Sequence, residues 1–347
     1  MDPLTQGVIG VVAAQQVARR RVLVLASVLG ALSGMASDLD VLIASNTDPL
    51  LALEYHRQFT HSLFFIPVGG FLCALFFSVI FRRWLRNAEL GFKQLLIFCT
   101  LGYATHGLLD ACTTYGTQLL WPLSDVRVAW NTVSIIDPLY TLPLLLLVIL
   151  AILKRKKSVL SKRLSLCALC WVLVYTAMGI MQRERVETAA LKIAEMRGHA
   201  PLTVESKPSF ANILVWKVVY RTESRFYVDA IRAGWQVSHY EGSSIAQLDV
   251  SRDFSWLDKG SQQARDIERF RWFSNDYLAV SPRYPNRIVD MRYSLIPNQI
   301  KGMWGIELDP SADKDQHIRY VSDRDRNGST FTLLWNMILG KAQDTSG

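Results

Sequence analysis

The chain has 347 residues, enough for two domains, half of them hydrophobic and 20% charged, with a formal net charge of +8. Intrinsic disorder is excluded, because disordered chains combine low hydrophobicity with high charge. An ordinary soluble enzyme is excluded by the uneven distribution: residues 1–182 carry 15 Lys+Arg and 9 Asp+Glu, whereas residues 183–347 carry 23 and 21. The predicted architecture is therefore an α-helical polytopic membrane bundle of five to six apolar helices over 1–182, followed by a soluble α+β domain over 183–347.

The chain opens on Asp2-Pro3-Leu4-Thr5-Gln6-Gly7 and a short apolar stretch, 4–18. It is not a signal peptide, because the positive charges Arg19–Arg21 follow it instead of preceding it. It either spans with help from neighbours or only dips into the bilayer. Segments 22–44, 62–81, 94–112, 135–153 and 164–182 each approach the about 20 apolar residues that a spanning helix needs. The basic residues cluster at Arg19–Arg21, at Arg82, Arg83, Arg86 and Lys93, and at Lys154–Lys157 with Lys162 and Arg163. The positive-inside rule puts these loops in the cytoplasm. Residues 45–61, 113–134 and everything after 182 then face outward, the periplasm in a bacterial inner membrane. The lipid bilayer is thus the first partner, and charges confined to short loops give no nucleic-acid patch. All five cysteines precede residue 183, and Cys167-x-x-Cys170 lies in an apolar run, where it reads as membrane packing.

Ionisable residues in spanning segments are costly and usually functional. Ser37-Asp38-Leu39-Asp40 ends an apolar helix, and an unbroken helix would point the two carboxylates apart, so this helix is expected to unwind there. His56-Arg57-Gln58-Phe59-Thr60-His61-Ser62 precedes the next apolar segment, with Thr60 a candidate N-cap. His106 and Asp110, at i and i+4, share one helix face. Thr113-Thr114-Tyr115-Gly116-Thr117 and Asp137-Pro138-Leu139-Tyr140 follow. In the orientation above, all of these lie at outward ends or in outward loops. Several helices therefore deliver imidazoles and carboxylates, the ligand set of zinc and similar ions, to one depth. Plainer readings exist for each: a packing histidine, a helix-end cap for Asp38 and Asp40, a solvated charge for Arg57, and a helix start for Asp137-Pro138.

The motifs D-P-L-T-Q-G, S-D-L-D, H-R-x-x-T-H-S, H-x-x-x-D-x-x-T-T-Y-G-T-Q and I-D-P-L-Y-T-L-P resemble, in the same order over residues 1–180, the YdjM-like family of inner-membrane, metal-dependent hydrolases. That family is distantly similar to zinc phospholipase C and P1-type nucleases. The resemblance implies metal ligands at Asp38, Asp40, His56, His61, His106 and Asp110, with Asp137 as a further candidate. Gln6 stands where some relatives carry histidine, which removes one ligand.

The second half reads as a polar helix over 183–198 that Gly198 and Pro201 end. Strand-like runs follow at 213–220, 225–231, 234–240, 245–250, 277–281, 287–295, 303–308 and 317–322, with a helix near 261–274 and an apolar segment at 330–339. Thr222-Glu223 is a candidate hairpin connection, and Asp323–Gly328 a charged turn without calcium-loop spacing. His199, His239 and His317 lack ligand spacing.

The functional expectation is a membrane-bound hydrolase using a divalent metal, with zinc favoured, on a phosphoester or other ester of an amphiphilic or lipid-linked substrate. Asp40 or Asp110 would be the base and Arg57 the grip on an anionic oxygen. The rival is a non-catalytic, metal-stabilised scaffold whose outer domain binds an envelope protein partner. Transport is disfavoured, since the cytoplasmic halves of the helices are almost purely apolar.

Overall fold

The structure, a computed structural model, describes residues 1–323 and 328–341. It forms two compact units: Met1–Ile43 with Tyr55–Ile180, and Ala44–Glu54 with Met181–Gly347. In chain order the first half carries α1 (Pro3–Val17), α2 (Leu23–Gly34), α3 (Leu51–Tyr55), α4 (Ile66–Ile80), α5 (Arg82–Asn87), α6 (Phe92–Cys112), α7 (Pro138–Leu153) and α8 (Ser158–Met196). Four helical segments are long and apolar enough to cross a membrane: Arg20–Leu42, Leu63–Ile80, Phe92–Cys112 and Ser158–Met196. Pro138–Leu153, α7, is a shorter apolar helix beside these four. At 15 and 16 residues, α1 and α7 rise only about 22–24 Å at 1.5 Å per residue, short of the roughly 30 Å hydrocarbon core.

The Asp2 carboxylate starts α1, accepting from Thr5 N at 3.0 Å, with Pro3 in the first turn. The helix is buried from Thr5 to Val12 because α2, α6 and α7 pack around it. Glycine sets that closeness. A Cβ on Gly30 would lie 2.4 Å from Gly10 O, and one on Gly102 would lie 2.4 Å from Gly30 O. The backbones of α1, α2 and α6 therefore touch, as small-residue crossings allow in membranes. Away from this crossing, Leu25, Leu29, Leu95 and Phe98 fill an apolar core. Cys167 and Cys170 are exposed on α8.

In the second unit, β1 (Thr203–Pro208), β2 (Val215–Arg221), β3 (Arg225–Ala233) and β4 (Val237–Ala246) form one antiparallel sheet in sequence order. After α9 (Val250–Asp253) and α10 (Gln262–Phe273), strands β5 (Leu278–Val280), β6 (Arg287–Asp290), β7 (Trp304–Glu307) and β8 (Arg319–Ser322) form a second, and α11 (Gly328–Ile338) follows. Val219, Phe226 and Val228 meet Tyr277, Val289 and Met291 in a core shared by both sheets. The runs expected at 234–240 and 245–250 form one strand, whose register with β3 shifts between Val228 and Ala230. β1 escaped the sequence because Thr-Val-Glu-Ser-Lys-Pro has a single aliphatic residue, yet it pairs with β2 along its whole length. Thr222 N donates to Arg225 O at 3.0 Å and closes the expected hairpin. Ala44–Glu54 joins this unit because Arg269 of α10 binds Asp48 at 2.8 Å and Glu54 at 3.0 Å.

Buried Lys217 donates to Ser294 Oγ, Pro297 O and Gln299 O at 2.9–3.2 Å, and burial lowers its ammonium to about 7. The three remaining histidines each have a hydrogen-bonding neighbour: His199 with Tyr220, His239 with Asp229 and His317 with Asp266. Of the Asp323–Gly328 turn, residues 324–327 lie outside the described residues.

Candidate metal centre

Beyond Gly34, α2 does not unwind as expected; the chain tightens into a 3-10 turn over Ala36–Leu42. Asp38 and Asp40 still leave it in different directions and approach opposite edges of one imidazole. Asp38 Oδ1 lies 3.5 Å from His61 Nε2, and Asp40 Oδ2 lies 3.2 Å from His61 Nδ1. The 56–61 turn reaches α6 because position 107 is glycine: a Cβ there would sit 2.1 Å from His61 O. Tyr103 of α6 also donates to Thr60 O at 2.7 Å.

On α6, His106 and Asp110 are fully buried. His106 Nε2 is 3.2 Å from Asp38 Oδ1 and 3.7 Å from Asp110 Oδ2, and His61 Nε2 is 3.4 Å from Asp110 Oδ2. One atom each from Asp38, His61, His106 and Asp110 thus converge, all within 4.8 Å of one another. Ligands at about 2.0–2.1 Å around a tetrahedral zinc stand about 3.3–3.4 Å apart. The four approaches bracket that spacing.

The donor set passes two further tests of fit. Among the described residues, buried His61 Nε2 and Asp110 Oδ2 make no well-aligned hydrogen bond and have only charged neighbours at 3.0–3.5 Å, whereas buried polar atoms are normally satisfied. Both imidazoles are also held from behind. His106 Nδ1 lies 2.6 Å from the Gly34 carbonyl, the partner of an N–H, which leaves Nε2 as the ligand atom. The Asp40 carboxylate does the same for His61 Nδ1. Such outer contacts orient metal-ligating histidines. Burial alone would lower the His61 imidazole, but hydrogen bonding to Asp110, Asp38 and Asp40 outweighs it and raises the group to about 10. Carboxylates crowded on this ring call for a cation, supplied by a proton on His61 or by an ion that displaces it. Asp38, Asp40 and His56 form a second, more open group that shares Asp38 with the first.

Asp40 and Arg57 sit differently from their expected catalytic roles. Asp40 is buried with both oxygens engaged: Oδ1 by His56 Nδ1 at 2.8 Å, and Oδ2 by Arg57 N at 3.0 Å and Thr60 Oγ1 at 2.8 Å. So occupied, the Asp40 carboxylate is placed to orient His56, Thr60 and the backbone of Arg57. Thr60 is spent on this contact, and Ser62 caps the next turn, accepting from Phe65 N. Arg57 is neither a solvated charge nor free for an anion. It is 5% exposed, its Nε lies 3.0 Å from Asp110 Oδ2, its Nη1 donates to Thr113 Oγ1 at 3.1 Å, and it stacks over Tyr115.

Asp137 is placed outside both groups. It caps α7, with Oδ1 accepting from Leu139 N and Tyr140 N, and its Oδ2 accepts from Tyr175 OH at 2.7 Å. Its helix-start reading is the one the geometry follows. Gln6 is the residue the sequence undervalued: it is fully buried and its Nε2 donates to Asp110 Oδ1 at 2.8 Å, where the amino group of Met1 also binds. Its place within the D-P-L-T-Q-G motif was the available signal.

The family model described as YdjM inner membrane protein matches residues 1–186. The inner membrane protein YbcI of Escherichia coli (strain K12) is 39% identical over 84 residues, 23% of this chain and 44% of that protein, so the chain spans less than half of this relative's length. No solved structure matches. The matched stretch takes in all three elements that carry the centre and more than half of the chain, and the chain belongs to the YdjM inner membrane protein family.

Proposed function

We propose that this inner membrane protein is a divalent-metal-dependent hydrolase of an ester or phosphoester, with zinc the favoured ion for a two-histidine, two-aspartate set. One observation carries the reading: four donor atoms from α2's extension, the 56–61 turn and α6 converge, and two of them are buried without a well-aligned hydrogen bond among the described residues. An ion bound there supplies a Lewis acid and lowers the pKa of a bound water toward neutrality. His61, His106 and Asp110 would hold it. Asp38, whose side chain is 28% exposed while the other three are closed off, faces the side from which substrate arrives. His56 is also 28% exposed, with Nδ1 fixed on Asp40. It is the imidazole arranged to move a proton, in the manner of an Asp–His pair. Arg57, with its Nε 3.0 Å from Asp110 Oδ2, holds that carboxylate in place.

Purified protein is expected to cleave some of a panel of lipid and nucleotide phosphoesters, and a chelator should stop it. Metal-replete, folded protein that cleaves nothing and whose ion has four protein ligands and no water would favour the scaffold reading. Closed four-ligand coordination is the mark of a structural ion.

We read the three basic loops as cytoplasmic, which requires α7 to cross together with the four longer helices and leaves the second unit on the periplasmic side. A periplasm-active reporter fused after residue 347 should therefore work and a cytoplasm-active one should not; the opposite result would reverse the topology.

A further inference from the structure

A groove of about 480 Å³ runs along the flank of the first unit between the last two turns of α6 and the apolar part of α8. Its floor is buried α1, at Ile9 and Val12. Its walls are partly exposed, with Leu108 on one side and Leu173 on the other. That volume and apolar lining fall in the range of small-molecule sites, about 300–1,000 Å³. Both walls belong to helices long and apolar enough to cross the membrane, so the groove opens toward hydrocarbon and not toward water.

Two of the hydroxyls in the lining, on Thr105 and Thr176, donate to backbone carbonyls of their own helices, and a third differs. Tyr140 is fully buried, and its hydroxyl has no hydrogen-bond partner among the described residues. A buried hydroxyl in that condition is costly, and a ligand acceptor would relieve it. The neighbouring Thr176 hydroxyl already donates to Val172 O at 2.8 Å. The groove also shares its helices with the metal centre. The turns of α6 that present Thr105, Leu108 and Cys112 to the groove carry His106 and Asp110 on the adjoining face. On α1, Ile9 lies one turn after Gln6, which binds Asp110 at 2.8 Å.

We propose that this groove seats one acyl chain of a membrane lipid, with the chain's ester carbonyl accepting from Tyr140, and that the substrate of the neighbouring centre is an acyl lipid. The second clause rests on the hydrolase reading above; the first does not. Alkyl chains suit a dry apolar trough, and an ester carbonyl supplies the acceptor that Tyr140 lacks.

The test uses the full chain in vesicles of phosphatidylethanolamine and phosphatidylglycerol containing a phosphatidylglycerol with a photoactivatable acyl chain, with cross-links mapped by mass spectrometry. Label should concentrate several-fold on Thr105–Cys112 and Leu169–Ile180 over the lipid-facing residues Phe71, Leu72 and Phe76 of α4. Leu108→Trp with Ala177→Trp fills the groove from exposed positions and should remove the excess label while bound metal and helix content are kept. Tyr140→Phe should weaken labelling by the ester lipid and leave an ether-linked analogue unaffected. Equal labelling of α4 and the groove, or excess label that survives the filled variant, overturns the proposal. Labelling needs no metal and is measured with chelator as well. Groove labelling without hydrolysis would overturn the hydrolase reading and leave the groove standing.

Discussion

His106→Ala is expected to strip the ion from the centre. His106 supplies one of four converging donors, and its Nδ1 is already held on Gly34 O at 2.6 Å, so no other side chain stands ready to replace it. Loss of the ligand should weaken divalent-metal binding by more than about 100-fold, since removing even an outer-shell partner costs about 10–100-fold. His61→Ala should do the same. Asp40→Asn is the graded control: it leaves the four converging donors in place but disturbs the carboxylate behind His61, and should fall within that 10–100-fold range. The measurement is metal content by mass spectrometry after equilibration at controlled free zinc, with circular dichroism to confirm folding. Full occupancy in both alanine variants would remove the proposed ligand set.

Asp110→Asn is expected to remove metal and activity and also to destabilise the bundle. Asp110 is fully buried and faces Arg57 Nε at 3.0 Å, the Met1 amino group, Gln6, and both ligand histidines. Its charge is the counter-ion of the buried Arg57, and breaking such a pair from one side costs about 3–5 kcal/mol. The loss of stability and the loss of the ion can be separated. Asp110→Asn combined with Arg57→Met removes both charges, so thermal stability should recover relative to the single variant. Metal binding should not recover, because the carboxylate ligand is still missing. Recovery of both would mean that Asp110 acts only as a partner of Arg57. No recovery of stability would mean that the pair is not the source of the destabilisation.

Much of the centre was legible from residue type and spacing. His106 and Asp110 at i and i+4 had to share a helix face, and the depth argument brought Asp38 and His61 to the same level. What spacing could not give was the division of labour among the carboxylates. Asp38 and Asp40 are chemically identical and two residues apart. Only the arrival of His56, Arg57 N and Thr60 around Asp40 separates a saturated orienting group from the more open Asp38. Asp137 stood as a further ligand candidate beside Asp110, yet its oxygens go to the first turn of α7 and to Tyr175.

By itself the sequence determined the class of the molecule, an apolar helical half followed by a charged half of strands and helices, because burial in lipid and burial in a soluble core demand different compositions over long stretches. It also determined which residues had ligand chemistry. The tertiary structure alone decided that α1 is enclosed although too short to span, that Gln6 is a partner of Asp110, and that Arg57 is buried. These depend on close approach between segments distant in sequence, at Gly10–Gly30, Gly30–Gly102 and Gly107–His61. A glycine in an apolar run reads the same whether or not another backbone lies against it, so only the packed structure tells which ones bring the ligands together.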